Sequence, residues 1–196
     1  KTNLENAITD YCNDSTKQTT IDDYGPISDW DTSQITDMGG LFASQDIFDE
    51  DISGWDVSNV TNMSAMFIMA YKFNQDISGW DVSNVTNMRS MFYDAREFDK
   101  PLNDWDVSNV ITMKKMFYYA DAFDQPLNEW NVSNVTSMES MFGSTFDRTS
   151  TFNQNLSDWN TSNVTTMLGM FKESNAFNNG ADENSSTELK WNTSNV

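Results

Sequence analysis

The sequence predicts an α/β repeat solenoid, with a parallel sheet of short strands on one face and short helices on the other. Seven tryptophans recur at a near-constant interval: those from Trp30 to Trp130 are 25 residues apart, and Trp159 and Trp191 follow after 29 and 32. A fixed interval of this size is typical of stacked supersecondary units. Within each unit the apolar residues change from a period of two to spacings of three and four. These are the periods of a strand and a helix.

A strand is predicted at each tryptophan. Apolar and polar residues alternate from Trp80 to Ser83, so Trp80 and Val82 would face inward and the residues between them outward. The same valine position is occupied by Val57, Val82, Val107 and Val132. An asparagine follows two residues after each of these valines, where its side-chain amide would bond the bending backbone. This asparagine position comprises Asn59, Asn84, Asn109, Asn134 and Asn163.

A short helix is predicted in the second half of each unit, where Met88, Met91, Phe92, Ala95 and Phe98 recur at helical spacing. Stacking the units in register would align like residues into columns and form one continuous core. The main columns are Met63, Met88, Met113, Met138 and Met167, and Phe67, Phe92, Phe117, Phe142 and Phe171. The extra residues of the two longer units, around 143–151 and 179–187, are predicted to form loops.

Two regions are predicted along the chain. Residues 1–26 would form a helical N-terminal cap, because Leu4, Ala7, Ile8, Tyr11 and Cys12 have the spacing of one helix face. A solenoid needs such a cap because its first unit would otherwise expose an apolar side and a strand edge. Residues 27–196 would form the solenoid, and its last repeat would be incomplete.

Composition excludes several classes of function. The 30 acidic residues outnumber the 11 basic ones and give a net charge of -19, which would repel nucleic acid. No apolar run is long enough for a membrane span, so no membrane insertion is expected. The chain has no histidine and only one cysteine, and its serines and threonines recur in repeat columns. An enzyme is therefore not expected.

The outward-facing residues beside each tryptophan are the predicted functional residues. The aspartates that follow successive tryptophans would stack, and like charges at that spacing repel by about 1 kcal/mol per pair. Calcium would offset this repulsion, because it takes about 6 to 8 oxygen ligands, and Gly54 and Gly79 would leave room for close approach. The predicted metal ligands are Asp29, Asp31, Asp56, Asp81, Asp104, Asp106, Glu129 and Asp158. The predicted partner-binding residues are Asp31, Asp56, Ser58, Asp81, Ser83, Asp106, Ser108 and Asn131. Alternatively, hydration and screening suffice and the aspartates are only a polar surface.

The repeat has the pattern I-x-x-W-D-V-S-N-V-T-N-M, followed by M-F and F-N-Q. From Ile27 onward it resembles the repeat of about 25 residues in BspA-like leucine-rich-repeat surface proteins of bacteria. The tryptophan-rich form, with Y-G-P-I leading into the first W-D, is similar to repeats in adhesins of marine bacteria and microalgae. The resemblance implies a leucine-rich-repeat fold, an extracellular location at the cell surface as part of a larger protein, and no enzymatic activity.

The residues and the resemblance together predict a cell-surface adhesion module. It would bind a protein partner, such as a second copy in a homodimer, through a calcium-loaded acidic face. One alternative is calcium-independent recognition of a peptide or glycan on another cell. Another is a structural spacer that binds nothing. Only the first of these hypotheses expects chelation of calcium to abolish association.

Overall fold

The computed structural model describes residues 2–13, 17–179 and 191, which contain two α-helices and one short 3-10 helix. Helix α1 spans Thr2–Asn13, helix α2 spans Gln18–Tyr24, and the 3-10 helix spans Ile27–Asp29. None of the described helices is both long and apolar enough to cross a membrane. Most of the second predicted loop and of the incomplete last repeat lies outside the described residues.

Helix α1 confirms the helix predicted from the N-terminal spacing. Its residues Ile8 and Tyr11 are buried and belong to the hydrophobic core. Partial burial raises the pKa of Cys12 to about 11, so this thiol is protonated at neutral pH. Helix α2 ends at Tyr24 and is capped by Gly25, whose φ of 77° is a conformation that glycine adopts readily.

The predicted parallel sheet is wrong, because the described residues form no strand and the β-pairing between neighbouring repeats is limited to isolated bridges. One parallel bridge links each pair of repeats, at Asp37–Asn62, Asn62–Asn87, Asn87–Thr112, Thr112–Ser137 and Ser137–Thr166. The amides at the predicted strand are used locally instead: that of Ser58 bonds the Asp56 side chain, and that of Val60 bonds the Val57 carbonyl. A parallel ladder needs such groups to pair with the next strand. The predicted alternation of burial is nevertheless present, because Trp55 and Val57 are buried and Asp56 is exposed.

The predicted helix of each repeat is also wrong, because these segments form consecutive turns. The Met66 amide donates to the Met63 carbonyl at 3.2 Å, and the Ala70 amide to the Phe67 carbonyl at 3.1 Å. The amide of Ala65, just before Met66, donates instead to the next repeat, at 2.7 Å from the Arg89 carbonyl. An α-helix would keep all of these bonds within its own segment. Three-residue turns and a helix produce similar spacings of apolar residues, so the pattern alone did not separate them.

The turns require left-handed backbone at two positions of the repeat. One position is occupied by Gly40, Ala65, Ser90, Lys115, Ser140 and Gly169, with φ between 54° and 69°. The other is occupied by Ser44, Met69, Asp94, Tyr119 and Glu173, with φ between 57° and 62°. Left-handed backbone costs residues other than glycine about 1 to 2 kcal/mol each. The hydrogen bonds between repeats oppose this cost.

Two columns of stacked phenylalanines run through the core. Phe42, Phe67, Phe92, Phe117, Phe142 and Phe171 have ring centroids 5.4 to 5.6 Å apart in successive repeats. The second column consists of Phe48, Phe73, Phe98, Phe123, Phe152 and Phe177, spaced by 5.8 to 6.1 Å. The predicted methionine and phenylalanine columns are confirmed as core, although Met167 and Phe171 at the end are only partly buried.

Tryptophan and asparagine side chains bond each repeat to the one before it. The indole N–H of buried Trp80 donates to the Ile52 carbonyl at 3.2 Å, and the bond recurs at each tryptophan from Trp55 to Trp191. The side-chain amide of Asn84 donates to the Ser58 carbonyl at 2.8 Å. The predicted bonding of the asparagine column to the backbone is thereby confirmed, and it extends across the repeat boundary.

Candidate functional site

The predicted metal ligands lie in two exposed columns on one side of the repeats, which we call the acidic face. The column after the tryptophans comprises Asp31, Asp56, Asp81 and Asp106, followed by Asn131 and Asn160. The column before the tryptophans comprises Asp29, Gly54, Gly79, Asp104, Glu129 and Asp158. All eight carboxylates of the acidic face are exposed. The predicted outward orientation is therefore correct, although no strand produces it.

Each aspartate of the column after the tryptophans closes a small turn with the serine two residues later. Asp56 Oδ1 accepts bonds from the Ser58 amide at 3.0 Å and from its hydroxyl at 2.6 Å. The same backbone bond occurs at Asp31, Asp81 and Asp106, at 3.0 to 3.1 Å. Asn131 and Asn160 also form it, at 3.2 Å. The D-x-S sequence is thus an Asx turn, in which Ser58, Ser83 and Ser108 hold the aspartates in place.

Serine hydrogen bonds lower the pKa of Asp31, Asp56 and Asp106. The Ser58 hydroxyl and amide lower the pKa of Asp56, against a smaller opposing effect of the neighbouring Asp31 charge. The equivalent bonds lower the pKa of Asp31 and of Asp106. These three carboxylates are therefore ionised at neutral pH and do not relieve their mutual repulsion by taking up protons.

The acidic face provides the right ligand type for calcium but an incomplete ligand set. The described residues contain no group of three or more acidic, histidine or cysteine side chains that could hold a metal ion. The acidic face has room for an ion beside Gly79, because a Cβ atom added at this glycine would meet nothing within 4 Å. A calcium ion here would therefore need oxygens beyond the carboxylates of one described chain.

Two further Asx turns, at Asp51 and Asp76, were not predicted. Their carboxylates accept bonds from the amides of Ser53 and Ser78 at 2.9 and 3.0 Å. A cleft of about 330 Å³ lies between the two turns and is bordered by Gly79. The signal was present as D-I-S, which has the same aspartate-to-serine spacing as the D-V-S after each tryptophan.

A cluster of aromatic and basic residues, which we call the Tyr–Arg patch, was also not predicted. It contains four of the six tyrosines and two of the three arginines: Tyr71, Tyr93, Tyr118, Tyr119, Arg96 and Arg148. The Arg96 guanidinium lies 4.0 Å from the centre of the Tyr71 ring, and the rings of Tyr93 and Tyr118 stack at 5.3 Å. No sequence motif marks this patch, because its members come from three repeats and the insertion at 143–151.

Arg148 joins that insertion to the Tyr–Arg patch. Its guanidinium pairs with Asp94 and bonds Asp121 Oδ2 at 2.6 and 2.9 Å. It also donates to the Tyr119 carbonyl at 3.1 Å and lies 4.7 Å from the centre of the Tyr119 ring. The side chain of Arg148 is only 18% exposed, so these bonds anchor the insertion to the preceding repeats.

A family model matches most of the chain. The family model described as "Mycoplasma protein of unknown function, DUF285" matches residues 9–127 and 99–196, which together include all but the first eight residues. No curated protein and no solved structure matches the chain. The family match, the recurring tryptophans and the stacked phenylalanines together identify the chain. The chain belongs to this family and is a tryptophan-rich repeat protein.

Proposed function

We propose that this chain is an adhesion module of a cell-surface protein, and that it binds a like domain through the acidic face in the presence of calcium. The observation that carries this proposal is the exposed column of Asp31, Asp56, Asp81 and Asp106. Resemblance to BspA-like surface repeats and to adhesins of marine bacteria and microalgae supports the location outside the cell. The BspA-like resemblance rests on the W-D-V-S-N-V-T motif.

Electrostatics support a cation-dependent contact. Two acidic faces would repel each other, because each carries carboxylates that remain ionised at neutral pH. Calcium bound between them would neutralise this charge and take oxygens from both molecules, which compensates for the incomplete ligand set of one chain. Asp56 Oδ1 already accepts two bonds, and Oδ2 has no hydrogen-bond donor among the described residues. That oxygen is the one available to a cation.

Sedimentation velocity in calcium and then in excess EDTA tests the proposal. We expect a dimer in calcium that returns to monomer on chelation. The triple variant Asp56→Asn, Asp81→Asn and Asp106→Asn should remain monomeric in calcium. It should also keep its fold, because Asn131 and Asn160 form the same Asx turn without charge.

A matched control removes three negative charges elsewhere. Asp10→Asn, Asp22→Asn and Asp23→Asn alter exposed residues of the two N-terminal helices, and this variant should dimerise as the wild type does. Equal loss of dimer in both triple variants would show that net charge, and not the acidic face, controls association. A monomer in both calcium and EDTA would exclude calcium-dependent self-association.

The Tyr–Arg patch favours the second candidate function, calcium-independent recognition of a partner on another cell. Tyrosine and arginine are enriched at the energetic centres of protein interfaces, and Arg148 is already held rigidly in place. Partner capture that persists in EDTA and is lost in a Tyr93→Ala and Arg96→Ala variant would support it. Capture lost in EDTA would instead support the acidic face.

A further inference from the structure

A cleft of about 470 Å³ lies between helix α1 and the first repeat. Leu4 and Ile35 supply apolar parts of its wall, and Tyr24 and Trp30 supply aromatic rings. Tyr24 is 60% exposed, and its ring stands at 71° to that of Trp30, with centroids 6.2 Å apart. A side chain entering the cleft would therefore meet both rings.

Trp30 differs from the tryptophans of the inner repeats. Those from Trp55 to Trp159 are only 3 to 4% exposed, whereas Trp30 is partly exposed. Its indole N–H donates to the Gly25 carbonyl at 3.1 Å, so its position depends on the end of helix α2. Tyr11 packs edge-on against it at 6.1 Å from within the core. The first tryptophan is thus held rigidly while part of it faces the cleft.

Two carboxylates, Asp29 and Asp31, also line the cleft. Asp29 accepts a bond from the Ser28 hydroxyl at 3.0 Å, and Asp31 accepts one from the Ser33 amide at 3.0 Å. Within the described part of the chain, neither carboxylate forms an ion pair with a lysine or arginine. The cleft therefore combines an aromatic surface with unneutralised negative charge.

We propose that this cleft binds a lysine or arginine side chain presented by a protein partner. The methylene stem of such a side chain would pack on Leu4 and the Trp30 ring, and its cationic head would reach Asp29 and Asp31. The net charge of -19 would attract a basic partner at long range. Asp29 and Asp31 also belong to the acidic face, where calcium would compete for them, so the test is carried out in EDTA.

Nuclear magnetic resonance of the tryptophan indoles tests this directly. A ¹⁵N-labelled chain has seven tryptophans, and the Trp30 indole signal is assigned from a Trp30→Phe variant. Nα-acetyl-lysine methylamide and Nα-acetyl-arginine methylamide are the probes. We expect saturable movement of the Trp30 signal. The signals from Trp55 to Trp159 should not move, because these indoles are buried and do not line the cleft.

Two controls separate charge from apolar contact. The norleucine analogue has the methylene stem without the cation and should move the Trp30 signal much less. The Asp29→Asn and Asp31→Asn double variant should bind the basic probes about fivefold more weakly, the scale of two exposed ion pairs. The Asp104→Asn and Asp106→Asn variant alters the same columns beside buried Trp105 and should bind like the wild type.

Three outcomes would overturn the proposal. The first is an unmoved Trp30 signal at saturating probe concentrations, and the second is equal movement with norleucine. The third is parallel movement of all the indole signals, which would indicate unspecific binding. The indole signals of the buried tryptophans show whether the Asp29→Asn and Asp31→Asn variant is folded. Weaker probe binding by this variant can therefore be distinguished from misfolding. Failure of calcium-dependent dimerisation would leave the cleft result unaffected.

Discussion

Asp56 has two roles that a single substitution can separate. Its Oδ1 atom closes an Asx turn with Ser58, while its charge contributes to the acidic face. Asn131 occupies the equivalent position and makes the same backbone bond without the charge. At the residue scale, the turn therefore requires a side-chain oxygen and the surface requires a carboxylate. Substitution of Asp by Asn tests the second requirement while retaining the first.

The lowered pKa values predict how these turns respond to acid. Asp31, Asp56 and Asp106 have pKa values below the ordinary 3.8 in the folded chain, so folding favours their ionised forms. Their contribution to stability is present above about pH 3.8 and is lost as the pH falls through the folded values. Relative to a variant with Asn at all three positions, the wild type should lose stability below about pH 4.

Urea unfolding followed by tryptophan fluorescence at several pH values measures this difference. The comparison with the variant cancels the titration of carboxylates that both proteins share. Parallel stability curves for the two proteins would show that the serine hydrogen bonds do not favour the ionised aspartates.

Gly40 tests the cost of the left-handed turn position. Its φ is 69° and a Cβ atom there would meet nothing within 4 Å, so Gly40→Ala changes backbone preference without a clash. We expect the free energy of unfolding to fall by about 1 kcal/mol. Gly79→Ala is the matched control, because Gly79 lacks a left-handed φ and is equally open. Equal effects of both substitutions on urea unfolding would contradict this explanation.

At the scale of elements, the row of turns replaces a helix because alternate amides bond the next repeat. Met63, Ala65, Phe67 and Met69 all donate to carbonyls of the following unit. A helix would use those donors internally and leave the repeats joined mainly by side chains. Two of these four residues, Ala65 and Met69, have left-handed backbone. This element is therefore stable only when a neighbouring repeat supplies acceptors.

The insertion at 143–151 depends on the bonds of Arg148. Arg148→Met would leave Asp121 without its guanidinium and buried Asp94 with only Arg96. We expect a loss of about 2 to 3 kcal/mol in unfolding free energy and faster hydrogen exchange in residues 143–151. Lys72→Met is the control, because the Lys72–Glu97 pair is about half exposed and should contribute less than about 1 kcal/mol. Unchanged exchange in the insertion would disprove the anchoring role.

For the whole molecule, the charge of -19 predicts that salt stabilises the fold. The Debye length falls from about 10 Å in 0.1 M salt to about 3 Å in 1 M. Repulsion between the carboxylates of neighbouring repeats therefore weakens as salt is added. The Tm should rise by several degrees in sodium chloride. It should rise less in the Asp56→Asn, Asp81→Asn and Asp106→Asn variant, which has already lost part of the repulsion. Differential scanning calorimetry measures both, and a Tm that falls or stays constant would contradict the prediction.

Which side chains are buried and which are exposed could largely be predicted from the type of each residue and its position in the repeat. Burial of Trp80, Val82 and Met88 and exposure of Asp81 follow from hydrophobicity and repeat spacing. The columns follow from stacking in register. The Tyr–Arg patch and the cleft at Trp30 could not be predicted in this way. The patch joins residues from different repeats, and the cleft depends on how helix α1 lies against the first unit.

The repeat, its register, the buried columns and the N-terminal helix follow from the residues alone, because they depend on spacing and on which side chains avoid water. How the backbone satisfies its hydrogen bonds depends instead on contacts between repeats. Both a strand-and-helix unit and a unit of consecutive turns bury the same residues. The choice between them depends on acceptors in the neighbouring repeat, such as the Arg89 carbonyl that receives the Ala65 amide, and no periodicity along one chain segment specifies such a partner.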